Sequence, residues 1–150
     1  MAGILGNDGS LTSKAQELAA AITGEAPTKG GVADEQILLH DFKLRGIDPK
    51  IGLTAALQEL KSGLKMYRKG NSIVAVKKLD PNTAQMHFFT LDKEEEFRHW
   101  VKFWVDEFRK LGGRVIYDTV ADPHIIRALQ AIGAHIQPSN TPKFKMMAMV

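Results

Sequence analysis

Seven apolar residues, Phe97, Trp100, Val101, Trp104, Val105, Phe108 and Leu111, step along one face of a helical period that Gly112-Gly113 stops. A stripe this broad and aromatic needs a flat apolar partner, so the chain must also build a sheet. The residues ahead of it supply one. Residues 64–68, the turn Lys69-Gly70-Asn71 and residues 72–79 read as a hairpin. Pro81-Asn82-Thr83 makes a second turn into an aromatic strand at 84–90. Asp92 and Glu95 have N-cap and N3 spacing, which starts the long helix there.

The remaining punctuation completes the order. Asp34–Leu44 reads as a helix, with Ile37, Leu38, Leu39 and Phe42 apolar and Gly46 as its stop. Ile47-Asp48-Pro49 breaks the chain before a second helix over 52–61, where Leu53, Ala56, Leu57 and Leu60 share a face. After the long helix come a strand at 114–119, a short helix capped by Asp122-Pro123 and closed by Gly133, and a last strand within 144–150. The expected fold class is mixed α/β (α+β), a mostly antiparallel central sheet with helices on both faces, over residues 34–150.

Residues 1–33 differ in kind. They hold six of the thirteen glycines and no aromatic residue, too little apolar surface for a core of their own. One amphipathic segment interrupts them: Ser13 and Gln16 have capping-box spacing, and Leu11, Ala15, Leu18, Ala19 and Ile22 recur at helical intervals before Gly24. The expectation is an extended arm whose Leu11, Leu18 and Ile22 stripe binds a neighbouring subunit.

Composition removes several function classes. The 150 residues contain no cysteine, which excludes disulfides, zinc-thiolate sites, iron–sulfur clusters and a cysteine nucleophile. No window approaches the roughly 18 apolar residues of a membrane span, and the N-terminus MAGILGNDGS lacks an export pattern, so an unexported chain without a membrane partner is expected. The five histidines include no HExxH and no i, i+4 pair, so no metal is expected. Ser62 and Ser72 lie in turns without a nucleophile elbow, and both glycine-rich phosphate motifs are missing. His87 lies within the aromatic strand and His99 on the polar side of the long helix, both expected in structural roles. Lys61, Lys65, Arg68, Lys69, Lys77 and Lys78 gather around Tyr67 at the hairpin, a solvated face rather than a nucleic-acid surface at a net charge of only +3. Phe103 falls off the apolar stripe, and its exposure would mark a contact surface.

The segment RVIYDTVADPHIIRALQAIGAHI, residues 114–136, resembles the closing half of the GNAT acyltransferase fold, and the order of elements over residues 34–150 is GNAT-like. More narrowly, Leu44-Arg45-Gly46-Ile47-Asp48-Pro49, Thr90-Leu91-Asp92 and residues 124–134 are similar to small GNAT-like proteins encoded among virion genes of short-tailed bacteriophages. The family's cofactor loop, Gln/Arg-x-x-Gly-x-Gly/Ala between central strand and long helix, corresponds here to Phe89-Thr90-Leu91-Asp92-Lys93-Glu94-Glu95-Glu96. That stretch has no glycine and four acids, which would meet a pyrophosphate with like charge. The tyrosine that many members carry four residues before the terminal glycine of the short helix corresponds to Leu129, which has no proton to give.

The resemblance and its two departures imply a fold without its enzymatic role: no catalytic residue, no cofactor, and a structural or assembly protein inside a tailed-phage virion. Its partners would be capsid, portal or internal virion proteins, or further copies of itself. It would be located in the virion, and in the host cytoplasm during assembly. Two alternatives stay open at this point: an acyl-CoA-dependent N-acyltransferase with an atypical loop and His87 or Tyr117 near the reacting groups, and a host-directed regulator.

Overall fold

The computed structural model describes residues 9–24 and 32–150, with the side chains of the first helix from Ser13 onward. The element order is α1 (Gly9–Ala20), β1 (Ile22–Gly24), α2 (Asp34–Leu44), α3 (Pro49–Lys61), β2 (Lys65–Lys69), β3 (Ser72–Asp80), β4 (Thr83–Thr90), α4 (Glu94–Lys110), β5 (Val115–Asp118), α5 (Pro123–Ala131), β6 (His135–Pro138) and β7 (Met146–Met149). The strands form one mixed sheet in the order β1-β2-β3-β4-β5-β7-β6. The β1–β2 and β4–β5 pairs are parallel and the other four antiparallel, which matches the expected class.

Strand alternation divides the core in two. Val74 of β3, Met86 and Phe88 of β4 and Ile116 of β5 point to the side of α4 and α5, where they meet Phe97, Val101, Trp104, Ile125 and Leu129. Met66, Ile73, Ala75 and Phe89 point the other way, toward Leu18, Ile37, Leu38 and Leu53 of α1, α2 and α3. Each face of the sheet is therefore covered by its own helical layer. Leu111, at the far end of the expected stripe, is the C-cap of α4 and stays 83% exposed.

Three local readings change. Pro49 does not break the chain: Asp48 caps α3, its carboxylate accepting from the Lys50 and Ile51 N–H groups, and Pro49 takes the first helical position, where a missing N–H costs nothing. Two short strands, β1 and β6, were below the reach of periodicity. The third change concerns the N-terminal segment. Helix α1 begins at Gly9, one turn before Ser13, so Ser13 lies inside the helix rather than at its cap. Ala15 and Leu18 are 3% and 0% exposed, against the core formed with α2 and α3, and Ile22 packs on the same cluster. The expected hold on a neighbouring subunit is thus replaced, for Leu18 and Ile22, by a hold on this chain's own core; the side chain of Leu11 lies outside the described residues. Tertiary packing stabilises a helix that would be marginal alone. The proposed boundary at residue 33 falls beside residues 25–31, which lie outside the described residues as do 1–8.

If α1 is part of the folded unit, Leu18→Ala lowers unfolding stability by about 2–5 kcal/mol in a denaturant titration. An unchanged midpoint would show that the segment contributes nothing to the fold.

Candidate functional site

Strands β4 and β5 pair over only three positions, Thr83↔Val115, Ala84↔Ile116 and Gln85↔Tyr117. Beyond them β4 continues through Met86, His87, Phe88, Phe89 and Thr90 without β5 beside it, so the sheet opens into a wedge. What fills the wedge is charge. His87 Nδ1 lies 3.1 Å from both carboxylate oxygens of Asp118 at the end of β5. Its Nε2 lies 3.1 Å from Asp41 Oδ2 on α2. Arg45, one turn further along at the end of α2, grips Asp41 through Nε and Nη2 at 2.9 and 3.0 Å and reaches Asp122 at 3.1 Å. Asp122 meanwhile caps α5 by accepting the His124 N–H at 2.8 Å. One cluster therefore ties together β4, β5, α2 and α5.

The electrostatics follow from burial. Loss of water alone would lower the pKa of His87, but the charge and hydrogen bond of Asp118, with those of Asp41, outweigh it and raise it to about 9. His87 is thus an imidazolium at neutral pH, with both N–H groups donating. The Nη2 of Arg45, 3.3 Å from Nε2, is then a second donor sharing Asp41, not a partner of the ring. Burial would raise the pKa of Asp41, yet the bonds and charges of His87 and Arg45 hold it below the usual carboxylate range. Arg45 is held above its ordinary value: burial opposes this, and Asp41, Asp122 and Asp118 override it. Three carboxylates face two cations, a nearly closed account. An imidazole that is protonated and hydrogen-bonded at both nitrogens cannot serve as a general base.

Beside the cluster lies a cleft of about 420 Å³, with His40 and Asp41 of α2, Thr90, Asp92, Asp122 and His124 on its walls. Its upper wall is the β4–α4 junction, which the sequence assigned to a cap of the long helix. The structure moves that role: the N-cap is Lys93, without a side-chain bond, and Asp92 turns back to the β2–β3 turn. Asp92 Oδ2 accepts from the Asn71 N–H at 3.0 Å and Ser72 Oγ at 2.7 Å, because that turn offers donors that would otherwise go unpaired. Ser72 is fully buried and also contacts Thr90 Oγ1 at 2.6 Å, so it is a brace, not a nucleophile. The first turn of α4 then presents Glu94, Glu95 and Glu96. Junction and helix start both carry negative charge where a pyrophosphate would need donors. That charge disfavours a phosphorylated ligand at this junction.

The other expected residues are placed as follows. Leu129 is 0% exposed in the core under α5. Tyr117 stacks on Phe144 at 5.1 Å and donates to Asn140, committed to the β5–β7 side. His99 is exposed and edge-on to Trp100. Arg68, counted with the surface cations, is 3% exposed and clamped by Asp34 and the Val32 and Gly70 carbonyls. Lys77 turns to Glu59 and Ser62 on the α3 side. Sequence reading missed Asp41 and Asp118. Both carried a signal: Asp41 lies four residues after Ile37 on the apolar face of α2 with Arg45 one turn on, and Asp118 follows Ile116 in the inward alternation of β5. Among the described residues no group of three metal-ligating side chains is placed to hold an ion.

His87→Ala leaves Asp118 and Asp41 without their shared cation and lowers stability by about 3–5 kcal/mol. Because the folded pKa of His87 lies above its ordinary 6.5, its contribution is complete below that pH and is lost as pH rises through about 9. Denaturation midpoints of the parent should therefore fall from pH 7 to 9.5, and those of His87→Ala should fall much less; equal slopes would refute the clamp.

Neither a family model nor a curated protein matches the sequence. Among solved structures, the chain is similar to a putative acetyltransferase from Salmonella typhimurium with its cofactor acetyl-CoA, at 10% identity and a TM-score of 0.46, covering 77% of this chain and 87% of that one. It is similar to the aminoglycoside 6'-acetyltransferase type Ii at 9% identity and a TM-score of 0.48, covering 95% and 90%. An aminoglycoside 6'-N-acetyltransferase from Enterococcus faecium gives 10% identity and 0.47, over 76% and 86%. At these values the likeness assigns no role to any residue of this chain.

Proposed function

We propose that this chain is a non-enzymatic structural or assembly protein on a GNAT-like fold. One observation carries the reading: the wedge between β4 and β5 is closed by the His87 cluster. Occupied in this way, the wedge holds no free base, since the imidazolium of His87 is spent on two carboxylates. Asp92 and the glutamates of α4 add charge of the wrong sign for a phosphorylated cofactor. The neighbours of similar fold are acetyltransferases, so the competing reading is an acyltransferase working from the adjoining cleft, with His40 and His124 on its wall.

Calorimetric titration with acetyl-CoA, cross-checked by melting temperature, separates the two. The assembly reading expects neither heat nor a shift at millimolar ligand. Saturable one-to-one binding overturns it and assigns the cleft to an acyl donor. The setting we propose, from the sequence likeness of residues 44–49 and 124–134, is a tailed-phage particle; mass spectrometry that finds the chain in infected cells but never in washed particles would point to the host-directed regulator instead.

A further inference from the structure

No further inference is drawn: the strongest candidate, the apolar groove between α4 and β2 with Val74, Met86 and Trp104 on its floor, is also lined by Thr23 and Gly24 of the edge strand β1, and nothing in the structure shows what covers it.

Discussion

A buried imidazolium between two carboxylates is the constraint around which this molecule is arranged. Burying any one of those charges alone would cost several kcal/mol, so each is tolerated only because the others are in place. Asp118 comes from the end of β5, His87 from the middle of β4, Asp41 and Arg45 from α2, and Asp122 from the start of α5. Elements distant in sequence are thereby fixed to one another where backbone pairing has ceased. A parallel pair that stops after three positions would otherwise leave a seam through the middle of the sheet. The cluster is at once the mechanical closure of that seam and the reason its histidine is unavailable as a general base.

The Asp92 junction works in the same way at the next corner. A carboxylate that could have capped α4 is spent instead on the β2–β3 turn, through the Asn71 N–H and Ser72 Oγ. The turn is tight: Gly70 has φ +54°, and a Cβ there would come within 2.6 Å of Trp100 Nε1. Hairpin, junction and the first turns of α4 therefore lock as one unit.

Much of this was legible in the sequence because it rests on period and punctuation. The Phe97 to Phe108 stripe, Gly46 and Gly133 as helix stops, and Asp122-Pro123 as a cap are local signals, and each is where the sequence places it. The cluster was not legible, because it is assembled from residues 41 to 122 by tertiary packing, and a single inward-facing acid on α2 or β5 looks locally like a defect in the pattern. Asp92 misled for a related reason: N-cap spacing is a local bid, and a distant turn with unpaired donors outbid it. The arm was misjudged on energy, since a ten-residue amphipathic helix is marginal alone but needs only a nearby apolar surface, and α2 with α3 provide it.

The sheet ends in two very short strands. On one side β1 offers three residues, Ile22–Gly24; on the other β6 offers four and finishes at Pro138. An exposed strand edge is a template on which another chain can add itself, and its hazard grows with the length of unbroken donors and acceptors. Among the described residues, three at one margin and a proline closing the other leave the edges of this sheet little template. Such edges leave any contact between described surfaces of two copies to side chains rather than to sheet continuing into sheet.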